Sequence, residues 1–309
     1  MRALFFGTPD YAVPTLRALA QIAEVVGVVC QPDKPKGRGM ELSPPPVKEA
    51  ALQLGLPVVQ PTKLRNGDFA AWVREQRADV AVVIAYGRIL PKDVLEAPTH
   101  GCVNLHASLL PKYRGAAPIT WAVVDGETES GVALMRMDEG LDTGDVLASM
   151  RTTIGSDETA GELYARLSEL SAELTVRELP RYLRGELQAV PQVHAEATLA
   201  RMLRKEDGRV DWTKSASQLH NHVRGMSPWP GAWTTLSGKT LKLLKAAHLP
   251  GDARAAAPGT IVLADKSGVV VATGNGLLNL VTVQAEGKKA MGAADWVNGR
   301  GVSVGDRLA

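Results

Sequence analysis

Cysteine is scarce in this chain, with two residues in 309, and both lie in apolar surroundings. Cys30 ends the run VVGVVC and Cys102 opens the run CVNL, so we expect two buried thiols that pack as small hydrophobic side chains. Two such residues provide neither a disulfide framework nor a cysteine-based zinc site. This cysteine usage favours a reducing compartment, and the cytoplasm is the predicted location.

Several other signals are missing. No stretch approaches the roughly 18 uninterrupted apolar residues of a membrane-spanning helix, so no membrane association is predicted. The opening residues MRALFFGTPD lack the apolar run and cleavage site of a signal peptide. FGTPD does not continue into G-x-G-x-x-G and no Walker A sequence occurs, which disfavours a nicotinamide or nucleotide enzyme. No His and Cys set has zinc-ligand spacing, so no metal is expected.

Charge is distributed unevenly, although the formal net charge is only +2. Residues 1–200 hold 20 Lys and Arg against 25 Asp and Glu, a net charge of −5. Residues 201–309 hold 15 against 8, a net charge of +7. A basic last third favours a polyanionic partner such as nucleic acid, while a solvated surface with a sign bias explains the charge equally well.

A parallel sheet is predicted for the first third of the chain. Four short apolar runs occur at residues 2–6, 24–30, 79–86 and 101–106, and a segment with helical spacing begins at Tyr11. Continuous apolar strands separated by helices are typical of a parallel sheet covered on both faces. We therefore predict an α/β fold with a Rossmann-like, mostly parallel sheet.

Two loops interrupt this pattern. Residues 31–46, QPDKPKGRGMELSPPP, are too long and too rich in Pro and Gly for an ordinary connection, and such loops are commonly functional or disordered. Residues 108–118, SLLPKYRGAAP, directly follow a predicted strand. Ligand sites of open α/β sheets form at the carboxyl ends of strands, so the second loop is a candidate site.

The last third of the chain has a different character. Residues 157–185 have a helical pattern, and the polar, weakly structured stretch 188–205 is predicted to be a linker. Short β-like runs between Gly-rich turns follow, a pattern typical of a small barrel or sandwich. Since 309 residues favour two domains, we predict domains at 1–187 and 206–309.

The sharpest local feature is the segment CVNLHASLLP. Asn104 and His106 are two residues apart at the end of a predicted strand, so both side chains lie on one face. Asn104 offers an amide donor, and His106 offers a group that exchanges protons near neutral pH. A lone histidine is nevertheless more often structural than catalytic.

A second feature is the acidic, glycine-containing turn MDEGLDTGDVL. Asp138, Glu139, Asp142 and Asp145 lie within eight residues, and the spacing does not match an EF-hand. A carboxylate on this turn is a candidate to orient His106 during addition to a carbonyl. The alternative is an ordinary solvated turn.

These segments resemble the folate-dependent formyltransferases, and within them the methionyl-tRNA formyltransferases. The Asn-x-His, SLLP and acidic-turn motifs carry the resemblance to folate-dependent formyltransferases. The QPDKPKGRG loop and the C-terminal segments narrow it to the tRNA-directed enzymes. The resemblance covers nearly the whole chain and is carried by FFGTPDYAVPTL, QPDKPKGRG, SPPPVKEAA, AYGRILP, NLHASLLPKYRGAAPI, MDEGLDTGDVL, DWTKSASQL, SPWPGAW and GTIVLADKSGVVVATGNGLLNL.

The resemblance implies a formyl transfer from 10-formyltetrahydrofolate, as co-substrate, to methionyl-initiator tRNA in translation initiation. It implies that Asn104, His106 and Asp142 are catalytic, and that residues 1–187 form the catalytic domain. The implied folate-binding motif consists of Ser108, Leu109, Leu110 and Pro111.

The resemblance also implies how tRNA is held. Arg38, with Lys36 in the same inserted loop, is expected near the methionyl end of the acceptor stem, although loop charges are commonly just solvated. Residues 206–309 are implied to form an OB-like barrel that helps to hold tRNA. A monomer is expected.

Three rival functions remain open. A formyltransferase acting on a small amine, such as glycinamide ribonucleotide or an amino sugar nucleotide, explains the catalytic set but not the QPDKPKGRG loop or the basic second domain. A non-catalytic tRNA-binding module leaves Asn104, His106 and Asp142 without a purpose. A formyl-folate hydrolase uses the same three residues, and product analysis separates it.

Two residues depart from the family pattern. Ala107 stands where Gly is common, and its methyl group is expected to narrow the folate pocket slightly. Arg88 stands in AYGRILP where an apolar residue is usual, and we expect its side chain to be exposed. Trp229 and Trp233 flank Pro230, and we interpret both as core or hinge aromatics rather than base-stacking platforms.

Overall fold

The computed structural model describes residues 1–36, 41–65, 67–249, 256–299 and 301–309. They form two compact units. Unit 1 comprises Met1–Pro118, Glu129–Thr153 and Tyr164–Arg201, and unit 2 comprises Ile119–Thr128, Ile154–Leu163 and Met202–Ala309. Within the described ranges, no helix is both long and apolar enough to cross a membrane.

Strands and helices alternate in the first half of the chain, and strands dominate the last third. The strands are β1 Arg2–Gly7, β2 Glu24–Val29, β3 Lys34–Lys36, β4 Glu41–Ser43, β5 Val58–Val59, β6 Val80–Ile84, β7 Cys102–His106, β8 Arg114–Gly115, β9 Glu129–Arg136, β10 Val146–Thr153, β11 Leu199–Ala200, β12 Ala232–Leu236, β13 Lys239–Leu249, β14 Ile261–Asp265, β15 Gly268–Ala272, β16 Leu277–Ala285 and β17 Met291–Gly292. The α-helices are α1 Val13–Ile22, α2 Pro46–Gln53, α3 Asp68–Glu75, α4 Lys92–Leu95, α5 Pro118–Val124, α6 Ala160–Leu183, α7 Ala216–Gly225 and α8 Ala293–Asn298.

Unit 1 is built on a seven-stranded sheet of order β10-β9-β7-β6-β1-β2-β5. Its five strands β7, β6, β1, β2 and β5 are parallel, and β9 and β10 add an antiparallel edge. The central strands are continuous apolar runs, and β6 is buried throughout, as expected where helices cover both faces. The predicted Rossmann-like, mostly parallel sheet is confirmed.

The strand order reverses beside β1, which pairs with β2 on one side and β6 on the other. Ligands of open α/β sheets bind at the carboxyl ends of strands near such a reversal. The segments leaving β1 and β6 are joined there, because the Thr8 hydroxyl donates to the Tyr86 carbonyl at 3.0 Å. Strand β7 lies next to β6 and ends at His106, so the histidine emerges at this edge.

The long loop after β2 contains regular structure. Strands β3 and β4 pair antiparallel, with Lys34 opposite Ser43 and Lys36 opposite Glu41. The sequence pattern predicted no strands there, because Pro and Gly mask the short β-like segments. Arg38 lies outside the described residues.

Unit 2 contains an antiparallel sheet of order β12-β13-β16-β15-β14, with β17 paired to β16. Its edges are closed by the last residues. Thr235 of β12 exchanges two backbone hydrogen bonds with Ala309, at 2.9 and 3.0 Å. The amide of Ile261 in β14 donates to the carbonyl of Asp306 at 2.9 Å. Residues 306–309 therefore bridge the outer strands, and unit 2 is a small β-barrel, as predicted.

The core of unit 2 combines barrel residues with side chains of the flanking helices. Leu219 and Val223 of α7 and Trp296 of α8 pack with the strands, and Leu308 fills the same core from the closing segment. Trp229 is 58% exposed, so of the two interpretations, core or hinge aromatic, the core one is wrong for this residue. It lies between Pro228 and Pro230 in a turn rather than in a strand, which leaves its ring uncovered.

Unit 2 should lose stability in acid through His222. Burial lowers the pKa of His222, and Lys214 adds to this effect, while Asp207, Asp211 and the Gly208 carbonyl oppose it. The unfolded chain then binds a proton more readily than the folded chain. This contribution to stability is complete above the ordinary pKa of about 6.5 and is lost as the pH falls from there through the lowered pKa of the folded state.

We therefore expect the free energy of unfolding to fall as the pH is lowered below about 6.5, and to fall less in His222→Gln. Urea titrations of both proteins across this range measure the difference. Equal pH dependence in the two proteins would show that His222 does not contribute. Its imidazole lies 3.4 Å from the Gly208 carbonyl oxygen, and glutamine retains a donor for that oxygen.

Both cysteines are buried, as predicted. Burial raises the pKa of Cys30 to about 11 and that of Cys102 to about 12. Because the thiolate is the reactive form, both residues act as small hydrophobic side chains of unit 1.

Candidate active site

His106 ends strand β7 with its imidazole almost fully buried, at 6% exposure. Its Nε2 atom lies 2.8 Å from the carbonyl oxygen of Tyr113. A carbonyl oxygen only accepts hydrogen bonds, so Nε2 carries a proton. The other ring nitrogen, Nδ1, faces the Asp142 carboxylate, with 3.6 Å between Nδ1 and Oδ2. The loop after β7 thus fixes which nitrogen is turned toward the acid.

Asp142 is presented by the acidic turn in a left-handed backbone conformation, with φ of 52°. Its Oδ2 accepts a hydrogen bond from the Gly115 amide at 2.8 Å. The turn also requires glycine at position 144, because a Cβ atom there would overlap the carbonyl oxygen of Arg136. These constraints aim the Asp142 carboxylate back toward the end of β7.

Asn104 completes the group. It is half-buried, and its Nδ2 lies 3.5 Å from Oδ1 of Asp142. Asn104 and His106 therefore both face the same carboxylate, as the two-residue spacing on one strand predicts. The structure brings all three sequence-predicted side chains together. An amide donor, an imidazole and a carboxylate around one point suit addition of a nucleophile to a carbonyl group.

The SLLP segment makes a tight turn directly after His106. The peptide bond between Leu110 and Pro111 is cis. Ser108 is buried, and its hydroxyl donates to the Lys112 carbonyl at 2.6 Å, which closes the turn. Leu109 and Leu110 are half-buried. The turn thus lies in sequence between His106 and the Tyr113 carbonyl that holds it.

Sequence reasoning did not find two residues that hold the acidic turn. The Gln192 amide nitrogen donates to the carbonyls of Asp142, at 2.9 Å, and Gly144, at 2.6 Å. Its oxygen accepts from Arg114, at 3.0 Å from Nε and 2.7 Å from Nη2. Arg114 lies in the recognised KYRGAAP segment, but Gln192 lies in the range predicted as a linker, where no local pattern marks it.

Arg88 is not simply exposed, so that expectation is wrong. Its guanidinium donates to the carbonyls of Pro61 at 2.8 Å and Thr62 at 3.0 Å. These bonds tie the loop after β6 to the segment after β5. Arg88 and Thr62 also line an open surface cavity of about 570 Å³, together with Lys63, Leu64, Arg65 and Ile89.

Of the predicted tRNA-contact residues, the structure places one at the end of a strand. Lys36 is the last residue of β3, in the paired ribbon of the inserted loop. Arg38, two residues on, falls outside the described residues.

Comparison with protein families covers most of the chain. A family described as formyl transferase matches residues 1–179, and a formyl transferase C-terminal domain matches residues 202–301. The chain is 60% identical to the methionyl-tRNA formyltransferase of Sorangium cellulosum, over 99% of this chain and 98% of that protein. It is 52% identical to the methionyl-tRNA formyltransferase of Myxococcus xanthus, over 99% and 97% of the respective chains.

Solved structures share the fold at low sequence identity. WlaRD, a sugar 3N-formyltransferase crystallised in the presence of dTDP and 5-N-formyl-THF, has a TM-score of 0.68 at 17% identity over 94% of this chain and 99% of that chain. HypX from Aquifex aeolicus, in complex with tetrahydrofolic acid, has a TM-score of 0.60 at 19% identity over 96% of this chain and 46% of that chain.

Proposed function

We propose, since this chain belongs to the methionyl-tRNA formyltransferase family, that it transfers the formyl group of 10-formyltetrahydrofolate to the α-amino group of methionyl-tRNA. The observation that carries the proposal is the position of Asp142, whose two carboxylate oxygens face Asn104 and His106 at 3.5 and 3.6 Å. The product is N-formylmethionyl-tRNA. Initiator tRNA is the proposed acceptor because the formylated product serves translation initiation.

The three side chains divide the chemistry of the transfer. The amine nitrogen attacks the formyl carbon, and the carbonyl oxygen gains negative charge, which donors at fixed positions stabilise. Asn104 supplies one donor through Nδ2. His106 supplies the second through Nδ1 when its ring is protonated, because Nε2 is already engaged with Tyr113. As the bond from the formyl carbon to the folate nitrogen breaks, one proton leaves the amine and one reaches that nitrogen.

Asp142 is the proposed acceptor for the proton that leaves the amine, directly or through water. Its carboxylate is half-buried and is held by the Gly115 amide, so the group does not need to reorganise during the reaction. It also orients the His106 ring. The alternative role for Asp142 is that of a turn-capping acid, since its Oδ2 atom accepts a hydrogen bond from the backbone amide of Gly115.

The folate donor is proposed to bind at the SLLP turn, where Ser108, Leu109, Leu110 and Pro111 follow His106. The closed turn gives this segment a fixed shape beside the reacting groups. Ala107, which stands just before the turn, is buried, and its methyl group is proposed to narrow the folate pocket slightly. These residues provide shape and apolar surface, and the catalytic chemistry stays with the three polar side chains.

We propose the chain ranges 1–187 as the catalytic domain, 188–205 as a linker and 206–309 as the OB-like domain that helps to hold tRNA. The support is the net charge of +7 in residues 201–309, which contain 15 basic and 8 acidic residues. Phosphate contacts by such a surface give salt-dependent affinity. We further propose a cytoplasmic monomer.

Arg38, with Lys36 beside it, is proposed to contact the acceptor stem of tRNA. Arginine recognises phosphate and base edges with two parallel hydrogen bonds. We expect Arg38→Ala to lower kcat/KM for charged tRNA by roughly 10-fold or more, a loss of about 1–3 kcal/mol, without changing the affinity for the folate donor. Transfer assays and folate titrations measure the two effects. A comparable loss of folate affinity would contradict this role, and Lys63→Ala, a basic residue outside the loop, serves as the control.

One assay tests the proposed function. Labelled 10-formyltetrahydrofolate is incubated with the protein and with methionine-charged initiator tRNA, uncharged tRNA or free methionine. Label only on charged tRNA supports the proposal. Label on a small amine would favour a sugar or nucleotide formyltransferase, and label released as formate would favour a hydrolase.

A further inference from the structure

Gln192 occupies a position that links the acidic turn to a buried cation. It is 8% exposed, and all the hydrogen-bonding capacity of its amide is directed inward. The nitrogen donates to the backbone carbonyls of Asp142 and Gly144, on both sides of Thr143. The oxygen accepts two hydrogen bonds from Arg114. The Gln192 side chain therefore holds the turn segment 142–144 at its first and last residues, and this segment presents the Asp142 carboxylate.

Arg114 is an unusual partner for a neutral amide. Its side chain is 6% exposed, and a buried guanidinium is normally paired with a carboxylate. Among the described residues its guanidinium contacts Gln192 and His194, and neither is an acid. Yet the next residue, Gly115, donates directly to Asp142. Arg114 is thus adjacent in sequence to the residue that bonds the Asp142 carboxylate, and its guanidinium is linked through the Gln192 amide to the backbone carbonyl of Asp142.

The bonding of Arg114 to the turn backbone through Gln192, rather than to the Asp142 carboxylate, has a chemical consequence. A direct, two-pronged ion pair with arginine would engage both carboxylate oxygens of Asp142. With Gln192 as its partner, the guanidinium polarises the amide and strengthens its bonds to the turn carbonyls. The carboxylate oxygens remain directed at Asn104 and His106 instead.

The same segment also reaches the other half of the site. The hydroxyl oxygen of Thr198 accepts a hydrogen bond from the Tyr113 amide at 2.8 Å, and the Tyr113 carbonyl in turn holds His106 Nε2. Strand β11 then pairs with β8, with Ala200 opposite Gly115. Residues 192–200 thus contact the supports of both the acid and the histidine.

We propose that Gln192, together with Arg114, is a positioning residue that sets the Asp142 carboxylate against His106 for formyl transfer. The inference rests on the proposed function. It adds a role for a residue from the range predicted as a linker, and it gives the buried Arg114 a purpose that packing does not explain. Neither residue touches the reacting atoms.

The test uses Gln192→Glu in the full chain. The new carboxylate keeps the acceptors for Arg114 and strengthens that interaction, but it turns an oxygen toward the two turn carbonyls in place of a donor. We expect kcat to fall by about 10–10²-fold, as for a displacement of about 1 Å in an active site. KM for the folate donor and for charged tRNA should stay within about 3-fold, and the melting temperature should not fall.

A second variant covers the outcome in which Gln192→Glu fails to fold. The double substitution Arg114→Met with Gln192→Met replaces the guanidinium and the amide together by apolar side chains of similar length, so neither is left buried without the other. The carbonyls of Asp142 and Gly144 lose a donor, so a modest fall in the melting temperature is expected. We expect it to fold and to show the same loss of kcat. Gln76→Glu is the matched control, because Gln76 also donates to a backbone carbonyl, that of Trp72, beside an arginine. It should retain wild-type kcat.

The outcomes separate the two proposals. Wild-type kcat in Gln192→Glu, or a loss that follows only the folded fraction or only KM, would overturn the positioning role. A wild-type protein that does not formylate charged tRNA would overturn the proposed function instead. A loss of kcat in both Gln192 variants, with unchanged folding and KM and a normal Gln76→Glu, supports the inference.

Discussion

Asn104→Ala is expected to lower kcat for formyl transfer by roughly 10²–10³-fold, the usual effect of removing one donor from a developing oxyanion. The Nδ2 group lies 3.5 Å from Asp142 and is half-buried at the end of β7, so it is held in place before the substrate arrives. Binding of the folate co-substrate should be little changed, because the hydrogen-bond donor of Asn104 acts on charge that appears only during the reaction. Single-turnover rates with saturating substrates measure the effect.

His106→Ala provides a sharp comparison for this prediction. Asn104 and His106 are proposed to hold the same oxygen, and residues that act as a unit lose activity non-additively. The double variant should therefore be only slightly slower than the slower single variant. Fully additive losses would show that the two side chains act on different atoms, and near wild-type kcat in either single variant would remove that residue from the mechanism. Melting curves confirm that each variant is folded.

Asp142→Asn is expected to reduce kcat by about 10²-fold or more, the range for loss of a positioned acid or base. Asparagine has the same shape and tolerates the left-handed backbone at this position, where φ is 52°. The substitution removes the charge that faces His106 Nδ1 and the group that accepts the proton of the amine. The rate of formylation at saturating substrate is the measurement.

Glu139→Gln is the matched control for Asp142→Asn. Glu139 is an exposed acid on the same turn, so the substitution removes the same charge from the same segment. We expect its kcat to stay within about 3-fold of wild type, a change below 1 kcal/mol in the barrier. If Asp142→Asn is equally active, Asp142 is a turn-capping residue and the acid must be sought elsewhere.

Four of the five parallel strands were readily predicted from the sequence, because each is a continuous apolar run, whereas the two-residue strand β5 was not predicted. The run at residues 24–30 is strand β2, and the run at residues 101–106 contains strand β7. The edge strand β10 was not predicted. Its residues alternate between half-buried or buried and exposed positions, and the sequence VLASMRTT lacks a clear apolar stripe. Its pairing with β9 is decided by tertiary contacts that a local pattern does not encode.

In the candidate site, too, some features were predicted from the sequence and others were not. The proximity of Asn104 and His106 follows from the two-residue period of a strand, and the acidic turn was identified by its composition. The contact between that turn and β7 spans 38 residues of sequence and depends on strand β9, which brings the turn back to the sheet. The role of Gln192 could not be predicted from the sequence. A single glutamine in a polar stretch has no periodicity or motif, and its importance arises only from where the chain returns.

The closure of the barrel by residues 306–309 bears on how unit 2 is made by the ribosome. Strand β12 is synthesised roughly seventy residues before Ala309, which pairs with Thr235. The outer edge of β12 therefore stays open until Ala309 is free to pair with it. The outer edge of strand β14 likewise stays open until Asp306 accepts the hydrogen bond from the Ile261 amide. Unpaired strand edges are templates for association with other chains. A nascent unit 2 whose residues 306–309 are not yet free to pair therefore exposes the outer edges of both strands to mispairing.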